Sequence, residues 1–288
     1  MVGAISYLEA RLNTMLKKLM LALMVLAGLA GGVRAEGPDS AGWDSLLKKY
    51  VRTVRNGQAS EVDYAGLKTE RAALQAYLAS IGQLSRTEFD GWRNPVQLAF
   101  LINAYNAWTL ELVLTAYPGV QSIKELGSFI QSPWKKRFIP LLGETRSLDD
   151  IEHGLIRGSG RYNDPRIHFA VNCASIGCPA LRAQAYTPEL LNAQLDDAAQ
   201  KFLSDRTRNR FESNTLKVSS IFKWYRSDFE QGWRGAHTLG QFLALYGSAL
   251  GFTADRLAPL TAGQLDITFL DYDWQLNDAR IATPVRKP

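Results

Sequence analysis

The chain has 288 residues, with 33 Lys or Arg, 28 Asp or Glu, three His and two Cys. At 46% hydrophobic and 21% charged it falls in the ordinary globular range, which excludes a disordered or low-complexity chain. Two cysteines cannot build a disulfide-rich scaffold and no Cys/His spacing resembles a zinc site, so neither a metal nor a cofactor is expected.

The first 35 residues read as a secretory signal peptide. Lys17 and Lys18 precede an uncharged run from Leu19 to Val33, and Val33-Arg34-Ala35 supplies a small-residue cleavage site. The run is shorter than the roughly 20 residues that a spanning helix needs, so no stable membrane anchor is expected after cleavage. Translation from Met15 gives the more ordinary leader Met15-Leu16-Lys17-Lys18. The leader holds four basic residues (Arg11, Lys17, Lys18, Arg34) and one acid (Glu9), so residues 36–288 carry 29 basic against 27 acidic groups. The basic excess therefore lies mostly in the leader, which argues against a nucleic-acid partner. Residues 36–288 are expected to form a single globular domain in the periplasm or outside the cell.

In chain order, Leu46 to Val54 and Glu70 to Ile81 read as amphipathic helices, the second with Leu74, Tyr77, Leu78 and Ile81 on one stripe. Pro95 suits the first turn of a long segment, Val96 to Ala116, and Pro118 stops it. That segment is apolar nearly all round, but Gln97, Asn103, Asn106 and Glu111 interrupt it, which predicts a buried central helix. A hairpin follows around Gly143-Glu144. Ser147 then caps a helix that reaches Arg157. Arg166 to Asn172 alternates like a buried strand, and Thr187-Pro188 opens a helix to Ser204. Arg210 to Ser219 reads as a second hairpin, followed by short helices over Ile221–Glu230 and Leu239–Ala249 and a last strand over Ile267–Tyr272. The expected class is α+β, dominated by helix, with a small, mostly antiparallel sheet.

Several polar residues sit where apolar ones are expected. Asn103 and Asn106 share a face of the central helix, either lining a ligand pocket or fixing a neighbouring loop. Glu152 falls inside the stripe of Leu148, Ile151 and Leu155, where a carboxylate must be paired, neutralised or turned to a cavity. On a strand, Arg166, His168, Ala170 and Asn172 would share one face, opposite Ile167, Phe169 and Val171. Cys173 follows directly. A thiolate activated by His168, with Glu152 orienting the ring, would suffice for acyl transfer or amide hydrolysis. The other reading is a disulfide between Cys173 and Cys178, since exported proteins meet an oxidising compartment.

The runs Phe100-Leu101-Ile102-Asn103-Ala104-Tyr105-Asn106-Ala107, Ser147 to His153, and Asp164 through Cys173 to Cys178-Pro179 resemble the family catalogued as domain of unknown function 547. The tail Tyr272-Asp273-Trp274-Gln275-Leu276-Asn277 resembles the end of its bacterial members. The likeness extends from about Trp43 to Asn277. It implies a domain of exported bacterial proteins and, fused to other regions, of plants; it implies no substrate and no catalytic assignment.

Two functions follow as expectations. In one, a periplasmic or secreted thiol hydrolase or acyltransferase uses Cys173 as nucleophile, His168 as base and Glu152 as orienting group. Asn103, Asn106, Arg166 and Asn172 then bind a small-molecule or peptide substrate in the cell envelope. In the other, a Cys173–Cys178 disulfide staples a non-catalytic binding or interaction protein, and the buried polar residues form a structural network.

Overall fold

A computed structural model describes residues 37–280; the leader lies outside these residues. Among the described residues helix dominates, with three small sheets of two, two and three strands, so the α+β class expected from the sequence is observed. The first helix, α1 (Ala41–Tyr50), stops four residues before the expected end. Val51-Arg52-Thr53-Val54 instead forms β1, paired antiparallel with β2 (Ala59–Val62). The β-branched residues favour a strand, and Arg55, Asn56 and Gly57, all at positive φ, make the reversal between the two.

Three further helices, α2 (Tyr64–Thr69), α3 (Arg71–Gly82) and α4 (Arg86–Gly91), lead into α5 (Asn94–Leu114). The expected stripe of α3 (Leu74, Tyr77, Leu78 and Ile81) is buried. Every residue of α5 from Val96 to Leu114 is buried, which explains why no single apolar face is legible in it. Its polar interruptions are partnered inside the protein. Gln97 donates to the Phe89 carbonyl at 2.8 Å, and Glu111 accepts from Arg71 at 2.7 Å. Among the described residues, no helix is long and apolar enough to cross a membrane.

The hairpin expected around Gly143 is β3 (Ile139–Leu141) and β4 (Glu144–Arg146), with Leu142 and Gly143 both at positive φ as the two-residue turn requires. After it, Asp150–Arg157 winds as a π-helix. Ser147 and Asp150 close its entrance reciprocally: the Asp150 N–H donates to Ser147 Oγ at 3.0 Å and the Ser147 N–H to Asp150 Oδ2 at 2.8 Å.

The segment read as a strand from Arg166 to Asn172 is a short 3₁₀ helix, Pro165–Phe169. Two local features override the alternation. Pro165 presets a helical φ in the first turn, and the Asp164 carboxylate caps the turn by accepting from the Arg166 N–H at 3.0 Å. The strand-face grouping of Arg166, His168 and Asn172 therefore fails.

The remaining α-helices and strands are α6 (Leu191–Ser204), β5 (Arg210–Glu212), β6 (Thr215–Ser219), α7 (Ile221–Trp224), α8 (Arg226–Phe229), α9 (Leu239–Ala244), α10 (Ala254–Thr261) and β7 (Asp266–Leu270). The expected last strand does not close a hairpin: β7 runs parallel to β6. Among the described residues two hydrophobic clusters result. One surrounds α5; the other gathers Phe169, Phe202, Phe222, Phe229 and Phe242. His168 precedes Phe169 and so stands where the two clusters meet.

Candidate functional site

A cavity of about 210 Å³ opens at this junction. Glu152 from the π-helix and His168 from the 3₁₀ helix line it, together with both cysteines and the aromatic rings of Tyr105, Trp224, Tyr225, Tyr272 and Trp274. The two residues singled out for acid–base work are thus brought together: Glu152 Oε1 lies 3.9 Å from His168 Nδ1.

The other side of His168 is fully engaged. Its Nε2 lies 2.8 Å from Asp228 Oδ2, and Arg157 grips the same carboxylate through Nε at 2.5 Å and Nη2 at 2.9 Å. Burial opposes ionisation of Asp228, but the hydrogen bonds from Arg157 and His168 outweigh it and hold its carboxyl well below the usual carboxylate range. An ionised Asp228 can only accept, so Nε2 carries the proton. Burial, outweighing the pull of Asp228 and Glu152, lowers the His168 pKa and keeps the ring neutral. Its lone pair then resides on Nδ1. Tyr225 stacks on the ring with 3.9 Å between centroids, fixing its plane.

A buried lone pair therefore faces a buried carboxylate oxygen. Glu152 is 4% exposed and His168 2% exposed; neither Glu152 Oε1 nor His168 Nδ1 has a partner within hydrogen-bond geometry, although the Tyr105 and Tyr225 hydroxyls stand close enough to the Glu152 carboxylate for it to help raise both phenol pKa values. The 3.9 Å separation of Oε1 from Nδ1 would be an ion pair only with a protonated His168, which burial disfavours. An orphaned buried acceptor costs roughly 1–3 kcal/mol, and more when charged.

The cysteines form a disulfide. Cys173 Sγ lies 3.1 Å from Ser175 Oγ and 3.1 Å from the Tyr272 hydroxyl. His168 is not among its hydrogen-bond partners. A disulfide sulfur has no thiolate, so the nucleophile role has no group to carry it in this state. The tail holds the loop in place: the Ile176 N–H donates to the Gln275 carbonyl and the Gly177 N–H to the Asp273 carbonyl, each at 2.8 Å. Gly177 permits this approach, since a Cβ there would meet the Asp273 carbonyl at 2.9 Å.

The four residues expected to bind substrate lie away from this cavity. Asn106 clamps backbone on both sides of the turn after the 3₁₀ helix, donating to the Ala170 carbonyl at 3.0 Å and accepting from the Asn172 N–H at 2.8 Å. Asn103 holds both backbone groups of Tyr186 in the same way, at 2.8 and 2.9 Å. Asn172 donates to the Pro179 carbonyl and accepts from the Ala174 N–H, each at 2.8 Å. Arg166 pairs with Asp164 at 2.6 Å and Asp196 at 2.9 Å. These side chains fix the chain around the site and do not line it.

Sequence reasoning missed Asp228, Arg157 as its partner, and the aromatic walls. Asp228 stands 60 residues from His168 and carries no local signal. The tail rings were legible only as part of a family-like ending. A larger cavity, about 360 Å³, lies near Lys48, Arg182 and Lys201. Those cations are already paired, Lys48 with Asp44 and the other two with Asp197, so it offers less to a ligand. Among the described residues, no group of three or more His, Cys, Asp or Glu is gathered to hold a metal ion.

Neither the curated proteins nor the solved structures compared with the chain include a match. The segment before Phe89 and the tail, both within the expected likeness, fall outside the family match. Residues 89–203, which contain Glu152, His168 and both cysteines, match the family described as Protein of unknown function, DUF547, so the resemblance to that family is shown over those residues.

Proposed function

We propose that this is an exported protein that binds a small molecule in the aromatic cavity, with Glu152 and His168 as its polar floor and the Cys173–Cys178 disulfide as part of its wall. The observation that carries the reading is the pair of orphaned acceptors, Glu152 Oε1 and His168 Nδ1, 3.9 Å apart on two residues that line one cavity. Buried polar atoms are almost always satisfied, and adjoining exceptions point to a ligand that completes them. Export is supported by the basic, apolar and small-residue order of the leader and by a disulfide, which persists in oxidising compartments.

Ligand-observed NMR with a set of small organic fragments tests the binding reading. Fragments should bind the wild type and lose binding in Val171→Phe, which fills the cavity from its wall. Binding that is unchanged by that substitution, or no binding at all, contradicts it.

A second reading is favoured by one observation: Cys173 lines the same cavity as His168 and Glu152. Once a thiol reductant opens the disulfide, the reading assigns Cys173 as nucleophile for amide or peptide bonds of the cell envelope. Alkylation after reduction separates the two. An activated thiolate at Cys173 reacts rapidly near neutral pH, whereas an inert thiol reacts no faster than a free cysteine with a pKa of about 8.5.

A further inference from the structure

The cavity walls and floor together define a ligand chemistry, and this step rests on the binding reading above. Six aromatic side chains line the space: Tyr105, Trp134, Trp224, Tyr225, Tyr272 and Trp274. Their packing is mutual. Tyr272 and Trp274 stand 4.5 Å apart, Trp224 and Tyr272 4.9 Å, and Trp134 and Trp274 5.6 Å. Aromatic faces carry negative quadrupole potential and attract cations, and Lys124 already lies 4.1 Å from the Trp274 ring centroid. The charged residues lining the cavity are Glu152 and Asp149, with no lysine or arginine among them. Its volume of about 210 Å³ exceeds the ~150 Å³ cavity that accommodates benzene.

We infer that the cavity is built for a primary ammonium group carried on an apolar body, its N–H donors bridging Glu152 Oε1 and His168 Nδ1. The ammonium has several donors and no acceptor, which complements a floor made of two acceptors. The two acceptors, 3.9 Å apart, are closed off from the cavity by their own side chains, and a nitrogen that enters between those side chains would reach both at ordinary hydrogen-bond distances. The carboxylate supplies the opposite charge, and the aromatic walls hold both the cation and its apolar body. A carboxylate ligand would face Glu152 and Asp149 as like charges. A neutral alcohol would supply one donor where two acceptors wait.

The test is isothermal titration calorimetry of the full chain at neutral pH with benzylammonium, benzyltrimethylammonium, benzyl alcohol and benzoate. Benzylammonium should bind roughly tenfold or more tighter than benzyl alcohol, and benzoate weakest of the four. Benzyltrimethylammonium, which keeps the charge but has no N–H, should fall between the first two. Glu152→Gln should weaken benzylammonium by about tenfold and leave benzyl alcohol unchanged. If the alcohol or benzoate binds as well as the ammonium, the ammonium inference is overturned while the cavity reading stands. Equal binding of the primary and quaternary cations overturns the bridging geometry. If none of the four binds and Val171→Phe also leaves fragment binding unchanged, both readings fall together.

Discussion

The central helix and the His168 junction both bury polar side chains, yet they treat them in opposite ways. On α5, Gln97, Asn103, Asn106 and Glu111 are each hydrogen-bonded within the protein. Asn103 and Asn106 each satisfy one backbone donor and one backbone acceptor of a neighbouring segment. At the junction, Asp228 and Arg157 are as fully engaged as those amides, but Glu152 Oε1 and His168 Nδ1 are not. Burial alone therefore does not distinguish a strut from a site. The distinguishing property is the atom left open.

If that contrast is right, removing a satisfied strut and closing an open atom should move stability in opposite directions. The largest effect should come from Asn106→Ala. It leaves the Ala170 carbonyl and the Asn172 N–H buried without partners, at a cost of about 3 kcal/mol, on the order of 10 °C in melting temperature for a chain this size. A loss no greater than that of a typical surface substitution would erase the strut side of the comparison.

Removing the disulfide comes next. A Cys173→Ala, Cys178→Ala double variant loses the closure of a short loop, worth about 2 kcal/mol on chain-entropy grounds. Denaturant unfolding of the double variant, compared with wild type with and without reductant, checks this. A reduced wild type as stable as the oxidised form would show that the tail hydrogen bonds, not the disulfide, hold the loop.

The acid dependence of stability sharpens the junction side. Burial lowers the His168 pKa from its ordinary 6.5, so the unfolded chain binds a proton there that the folded chain resists. This group's contribution is complete above about pH 6.5 and is lost as pH falls toward the depressed folded value. Asp228, also depressed, adds a second loss below the ordinary carboxylate range. Urea midpoints followed from about pH 8 to about pH 2 should decline in these two stages, with the upper stage absent in His168→Gln. An upper stage that survives in the variant assigns it to another group.

The smallest effect has the opposite sign. Glu152→Gln replaces an open carboxylate oxygen by a group that can donate to His168 Nδ1, so stability should rise by about 1 kcal/mol in the absence of ligand. A fall of similar size would mean that Glu152 is a strut like Asn106.

How much of this was legible in the sequence follows the same division. The central helix, the hairpin at Gly143, the second hairpin and the stripe of α3 are local patterns of period or turn chemistry, and the structure contains them. The segment Val51 to Val54 was absorbed into the helix before it, although its β-branched residues and the Asn56-Gly57 turn encode a hairpin. Arg166 to Asn172 alternates like a strand, but Pro165 and the Asp164 cap decide the backbone locally. Glu152 was legible as a misfit within an apolar stripe, and His168 as a polar residue among apolar ones. Their partner Asp228 was not, because an ion pair across 60 residues has no periodicity to betray it. The substrate-binding roles given to Asn103, Asn106, Arg166 and Asn172 rested on polarity alone, which cannot tell a satisfied amide from an open one.

The most direct test of the open-atom account is ¹⁵N NMR of the full chain labelled at histidine, whose three imidazoles, at His153, His168 and His237, give separable ring signals. At pH 7 the account predicts that His168 is a single neutral tautomer with its proton on Nε2, and that its bare Nδ1 signal shifts when benzylammonium is added. A proton on Nδ1, or an Nδ1 signal unmoved by a ligand that calorimetry shows to be bound, would contradict it.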